Sequence, residues 1–383
     1  MKSYNHIFEK IIDPDNLRLA IERSSLGKRD RVDVKNVRSD PDKHVAIIQE
    51  LLITRKYKIP THELVEINDG VRQKKRQIIK PNYKYEQIVH HAIVQALKPV
   101  FLRGMYAYSC GSIPGRGAHY GKKYIERFIR DNPREIKYCF KMDIRHFFQS
   151  VNQEILKEKL RKTIHDPDAL WLLFLMIDAY SDHEKDGVKY GLPLGYYTSQ
   201  WFSNWYLQGL DHFIKEKLGA KCYVRYMDDM IIFGRNKKEL HKMKDEIDRY
   251  LSDNLDLEIK SNWQIFRFDY IDKRDGKRKG RFLDFMGFRF YRDKTTLRRS
   301  IMLKATRKAK QISKKERPTW FDASQMISYL GWFSSADAYR CYETYIQGLI
   351  NVKALKRKIS KKGSRDHEKI KLSNNRGIST SET

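Results

Sequence analysis

The stretch CYVRYMDDMIIFG (222–234) sets two adjacent carboxylates, Asp228 and Asp229, between two runs that alternate as β-strands over 223–226 and 230–233. A tight turn of Met227, Asp228 and Asp229 aims both carboxylates at one spot. Like charges that close raise each other's pKa unless positive charge holds them ionised, and a divalent cation supplies it. Hard oxygen donors with no Cys or His set nearby favour magnesium over zinc. A second apolar strand, YCFKMDI (138–144), carries Asp143 near its end and offers a third ligand. Two such strands side by side build a two-metal centre, one ion activating an attacking hydroxyl and the other stabilising the leaving oxygen. That is nucleotidyl transfer chemistry. A lone Asp-Asp pair is most often a solvated turn; the apolar strands, Asp143 and the basic chain around them argue for metal.

The elements that must hold these residues are legible as periodicity. NLRLAIERS (16–24) and HVAIIQELLITRKY (44–57) repeat apolar residues at three and four spacing, as helices do. DGVRQKKRQIIKPNYKYEQ (69–87) opens on the turn pair Asp69-Gly70, and Pro81 closes a short β-like run at 77–80, so it reads as a charged hairpin. QIVHHAIVQALKPVF (87–101) is an amphipathic helix, followed by a glycine-rich loop, YSCGSIPGRGAHYG (108–121). After the Asp143 strand, NQEILKEKLRKTI (152–164) is helical, and GLPLGYYTSQWFSNWYLQGLDHFIKEKLG (191–219) is a loop feeding an aromatic helix that stops at Gly219. Leu240, Met243, Ile247 and Leu251 mark one face of a further helix, and GRFLDFMGFRFYRD (280–293) offers a strand pair. The order strand, helix, helix, strand, strand, helix, strand fits an α+β sheet with helices on one face. Past residue 360 the polar tail reads as disordered.

Lys and Arg number 77 against 48 Asp and Glu in 383 residues, a formal charge of +29 spread along the chain. With 23 Tyr, 18 Phe and 6 Trp interleaved, the expected partner is nucleic acid rather than an anionic membrane. Cys110, Cys139, Cys222 and Cys341 lie far apart, with no C-x-x-C pair and no histidine cluster, which argues against a zinc module and a disulfide framework. No stretch approaches a signal h-region or the roughly 18 apolar residues of a membrane span, so a reducing, cytoplasmic setting is expected.

YMDD between apolar strands, preceded by FKMDIRHFF and GLPLGYYTSQ, resembles the palm of a reverse transcriptase, and the ordered blocks of that family run over roughly 76–350. The resemblance implies a right-hand polymerase with an antiparallel palm sheet backed by helices: N-terminal helices and fingers over 1–135, palm over 136–295 with a helical segment near 152–190, helical thumb over 296–358, tail over 359–383. It implies that Asp143, Asp228 and Asp229 bind two Mg2+ ions, with Mn2+ as a substitute. Phe148, five residues after Asp143, falls at the aromatic gate that excludes a ribose 2′-OH; the alternative is an ordinary core Phe. KKRQIIKP resembles the basic strand that clamps the incoming triphosphate, giving Arg76 and Lys80. IPGRGAHYG resembles the template and nucleotide loop, with Gly115, Arg116 and Gly117. Lys260 lies where polymerases keep a general acid for pyrophosphate, though a chance Lys is equally compatible with so basic a chain. Met286 and Gly287 in FMGFRF resemble the primer grip. His90 and His91 read as core or template contacts.

One departure from the family pattern narrows the subtype. Many reverse transcriptases have Q-G-x-x-x-S-P before YxDD, whereas this chain has Leu194-Gly195 and Ser199-Gln200. That resembles the error-prone enzymes of diversity-generating retroelements, and places Leu194, Gly195 and Gln200 in the dNTP pocket. Antiphage-defence and group II intron-like enzymes share the wider architecture. The resemblance implies a structured template RNA, an RNA/DNA duplex and dNTPs as partners, and a small basic accessory protein. A non-catalytic RNA-binding scaffold is the reading of another class; three convergent carboxylates argue against it. A viral-type RNA polymerase is disfavoured by Phe148.

Overall fold

The computed structural model describes residues 4–62, 64–69 and 74–360. It divides into two compact units, Met1–Arg267 and Phe268–Thr383. The division falls inside the stretch 136–295 read as palm. Of the stretch 359–383 read as tail, Ile359 and Ser360 end a helical run, and 361–383 lie outside the described residues.

The first unit opens with four helices, α1 (Ile7–Ile12), α2 (Pro14–Ser25), α3 (Val32–Ser39) and α4 (Pro41–Ile53). Asp13 caps α2 and Asp40 caps α4, each with Pro at the first helical position where its missing N–H costs nothing. The charged hairpin is present: β1 (Leu64–Asp69) pairs antiparallel with β2 (Lys74–Ile79). Its connecting residues lie outside the described ones. α5 (Ile88–Leu102) buries His90, Ile93, Val94 and Leu97 and is followed by α6 (Ala118–Asp131).

The sheet that carries the aspartates has four antiparallel strands. β3 (Tyr138–Asp143) is followed by α7 (Phe147–Ser150), α8 (Gln153–Arg161), α9 (Pro167–Asp178), a short hairpin of β4 (His183–Lys185) and β5 (Val188–Tyr190), α10 (Tyr197–Tyr206) and α11 (Gln208–His212). Then come β6 (Cys222–Tyr226), β7 (Asp229–Gly234), α12 (Lys237–Leu255) and β8 (Gln264–Arg267). The spatial order is β6-β7-β3-β8. Strand alternation sends Phe140, Met142, Tyr223, Met230 and Ile232 into one core together with Trp201, Phe202 and Tyr206 of α10 and Leu240, Ile247 and Leu251 of α12. The expected α+β class, an antiparallel sheet backed by helices, is what the chain adopts. The hairpin β4–β5 is additional to the sequence-based order.

The second unit holds the pair β9 (Tyr270–Ile271) and β10 (Arg278–Lys279), then a three-stranded sheet of β11 (Leu283–Phe285), β12 (Phe288–Phe290) and β13 (Thr295–Leu297). The expected strand pair thus gains a third member. Helices α13 (Arg299–Ser313), α14 (Trp320–Phe333) and α15 (Tyr339–Tyr345) follow.

Candidate active site

β3 and β7 place Asp143 directly opposite Asp229, which sets their Cβ atoms about 5 Å apart. Asp229 therefore belongs to a strand, and the turn between β6 and β7 is only Met227 and Asp228. Met227 has φ +57°, a value the first loop position of some two-residue hairpins demands and glycine usually supplies. A side chain held there is strained, so its surroundings must fix it. Gly111 lies against it: a Cβ there would stand 2.6 Å from Met227 Cγ and 2.7 Å from the Met227 nitrogen.

The three carboxylates form one electrostatic cluster. The Asp228 carboxyl is pushed up to about 7, first by burial, then by the charge of Asp143, with which it also shares a hydrogen bond, and by Asp229. Two carboxyl groups that share a hydrogen bond need a proton between them or a cation in its place. Among the described residues, no three His, Cys, Asp or Glu side chains are grouped so that they could hold a metal ion as they stand. The donor chemistry of this cluster, oxygen alone on a strand edge, nevertheless fits a hard divalent ion. Lys260 belongs to the same neighbourhood, since its N–H donates to the Asp143 carbonyl at 2.8 Å and its Nζ stands 3.4 Å from Asp143 Oδ2.

Three of the blocks singled out in the sequence are stitched together by main-chain bonds. Leu192 N–H donates to the Phe148 carbonyl at 2.7 Å, and Ile79 N–H donates to the Leu194 carbonyl at 2.8 Å. Phe148 is half-buried, its ring edge-on to Phe147 at 5.5 Å. Gly195, at φ +114°, lets the Ile79 carbonyl approach so closely that a Cβ would sit 2.0 Å from it. Gln200 Oε1 accepts from Ser112 Oγ at 2.6 Å. Arg76 lies on β2 opposite Ile67, and Lys80 follows it, exposed; the Arg76 side chain is outside the described ones. Gly115 has φ +76° in a turn closed by Arg116 N–H to the Ile113 carbonyl, and Gly117 caps α6. Arg116 turns part of its guanidinium inward, Nη1 donating to the Tyr106 carbonyl at 2.8 Å. His90 and His91 are packed against α10 and the loop before it: His90 Nδ1 meets Thr198 Oγ1 at 3.0 Å, and His91 stacks on Tyr197 at 4.4 Å.

In the second unit, Met286 (φ +51°) and Gly287 (φ +88°) form the two-residue loop between β11 and β12. Positive φ at both positions is the I′ pattern that matches strand twist. A Cβ on Gly287 would stand 2.9 Å from Ile301 and from Trp332, so the loop is seated on α13 and α14.

Residues 67–333 match the family model described as Reverse transcriptase (RNA-dependent DNA polymerase). The chain belongs to the reverse transcriptase family. Protein YkfC of Escherichia coli K12 is 23% identical over 184 residues, covering 47% of this chain and 43% of its own length. The chain thus spans less than half of that curated relative. Among solved structures, telomerase from Candida albicans in complex with a fragment of telomeric RNA aligns at TM-score 0.44 and 12% identity, over 76% of this chain and 55% of that one. Apo telomerase from Candida tropicalis aligns at TM-score 0.47 and 14% identity, over 74% and 55%. All three aspartates of this family member lie inside the family match, as do Phe148, Leu194 and Gln200.

The sequence reading missed the buried frame behind the turn. Arg225, fully buried on β6, donates from Nε to Asp211 Oδ1 at 2.7 Å and from Nη2 to Asp211 Oδ2 at 2.6 Å. Its Nη1 donates to Asn204 Oδ1 at 3.0 Å and to the Met227 carbonyl at 3.1 Å. Tyr223 and Ser109 hydroxyls complete the shell of Asp211 at 2.6 and 2.9 Å. An arginine inside the apolar run YVRY and a lone aspartate in the aromatic helical segment were the available signals, because buried charge must find its opposite.

Proposed function

We propose that this protein is an RNA-directed DNA polymerase in which Asp143, Asp228 and Asp229 form the catalytic centre. The observation that carries the reading is the register: the aspartate ending β3 faces the aspartate opening β7, and the turn adds a third whose carboxyl is charged only at a cost. Mg2+ at these carboxylates would supply Lewis-acid charge to the attacking and leaving oxygens. The primer 3′-OH gives its proton to solvent water and attacks the α-phosphate of a dNTP; a new P–O bond forms as the bond to pyrophosphate breaks. Lys260, beside Asp143, is suited to give the leaving group a proton. Phe148, the 194–195 loop, Gln200, Arg76 and Lys80 would form the dNTP pocket, and the bonds joining β2, that loop and Phe148 support a common wall. Residues 115–117 would line the template side, and Met286 with Gly287 would hold the primer. In this scheme the sheet is palm, β1–β2 fingers and α13–α15 thumb.

Leu194 and Gln200 favour the diversity-generating subtype, which copies a structured RNA with errors at template adenines. Antiphage-defence and group II intron-like enzymes are the next candidates. A primed RNA template with Mg2+ and dNTPs tests both levels. Incorporation by the wild type that vanishes in Asp228→Asn supports the polymerase, and misincorporation concentrated opposite adenine supports the subtype. Even errors at all four template bases would remove the subtype; a wild type inert with its native RNA would leave the scaffold reading.

A further inference from the structure

We propose that Arg225 is a positioning residue for the carboxylate cluster, acting through the Met227 carbonyl; the proposal rests on the polymerase reading above. Met227 must stay at φ +57° for Asp228 to project from the turn, and such a conformation persists only where neighbours over-determine it. From one side Gly111 fills the space against the Met227 side chain and nitrogen. From the other, Arg225 Nη1 fixes the Met227 carbonyl. Both restraints meet at Asn204, whose Nδ2 donates to the Gly111 carbonyl at 3.0 Å and whose Oδ1 orients the same Nη1. The strand carrying Arg225 is also tied to the glycine-rich loop, through Cys110 N–H to the Arg225 carbonyl at 2.8 Å and Arg225 N–H to the Tyr108 carbonyl at 3.0 Å.

A counter-ion for Asp211 alone needs no such geometry. A buried ion pair is weak evidence of stabilisation, because desolvating both charges offsets their attraction. What the arginine adds is a planar fork that serves three acceptors at once: Asp211, Asn204 and the Met227 carbonyl. Lysine can pair with Asp211 but cannot also hold the other two. Arg225→Lys thus separates charge balance from turn positioning.

The test compares wild type, Arg225→Lys, Asn204→Ala and Asp228→Asn in three measurements: thermal unfolding, binding of Mn2+ alone followed by its EPR signal, and steady-state dNTP incorporation resolved into kcat and KM. Arg225→Lys is expected to stay folded while Mn2+ binding weakens and kcat falls by about 10–100-fold, as when residues that orient metal ligands are removed, with KM for dNTP unchanged. A folded Arg225→Lys with wild-type Mn2+ affinity and kcat overturns the proposal. Should that variant unfold, Asn204→Ala decides: it leaves the Arg225–Asp211 pair intact, so weakened Mn2+ binding supports positioning and wild-type binding overturns it. Asp228→Asn separates the two levels. If it keeps activity, the catalytic assignment falls; if it is inactive while both other variants match the wild type, only the role of Arg225 falls.

Discussion

Gly195 answers to two constraints at once, a positive φ and a carbonyl oxygen where a side chain would begin. Gly195→Ala is therefore expected to push the 194–195 loop away from Ile79 and to cost about 1–3 kcal/mol in unfolding free energy, the range for a strained backbone site. Urea titration measures that loss, and in the polymerase assay KM for dNTP should rise as the common wall opens. An alanine variant equal to wild type in both would show that the loop is not set by this contact. Phe148→Ala is expected to admit ribonucleotides, read as the ratio of rNTP to dNTP incorporation; an unchanged ratio would make Phe148 a packing residue only. The aspartates were legible in the sequence because acidic residues rarely interrupt apolar strands without a task. The role of Ser112 was not, because its partner Gln200 lies 88 residues away in the chain; Asp211 and Arg225 are only 14 residues apart, but a helix and a strand must pack before the two meet.

At the scale of elements, α5 and α10 are joined by histidines that the fold keeps neutral. Burial, aided by the neighbouring His91 and His62, pushes His90 down to about 3; burial, aided by Lys28 and Arg23, pushes His91 down to about 4. An unfolded histidine titrates near 6.5. Both folded pKa values are depressed, so between them and 6.5 the unfolded chain binds protons that the native chain refuses. The contribution of these two histidines to stability is expected to be present above pH 6.5 and to be lost as pH drops toward the folded values, at a slope approaching about 1.4 kcal/mol per pH unit for His90 alone. Urea titrations from pH 7 to 5 check this, with His90→Leu expected to flatten the slope; an equal slope in both proteins would contradict it. Periodicity revealed α2, α4, α5 and α12 because each has one apolar stripe. It could not reveal β4, all of whose residues are exposed, because a strand with no buried face leaves no alternation to read.

For the whole chain, charge is the dominant physical fact. The second unit holds 29 Lys and Arg against 12 Asp and Glu in its 116 residues, so it carries more than half of the +29. Nucleic-acid binding should be steeply salt-dependent: a protein contacting six to ten phosphates loses about 10³–10⁵ in affinity between 50 and 200 mM salt. Fluorescence anisotropy on a primed RNA template reads this slope, and a flat response would argue against phosphate contacts as the main attraction. Among the described residues, no helix is long and apolar enough to cross a membrane.

The strand order β6-β7-β3-β8 has a temporal meaning as well. β3 sits between β7 and β8, and the ribosome delivers both of those neighbours long after it. Until then the nascent chain carries a strand with Cys139, Phe140 and Met142 to bury and both edges open, the kind of species that aggregates. Pairings so distant in sequence also close slowly. A chain stopped at residue 220 is accordingly expected to pellet after expression, whereas one stopped at 267 stays in the supernatant. The acidic cluster is thus a late product of synthesis, absent from every shorter intermediate.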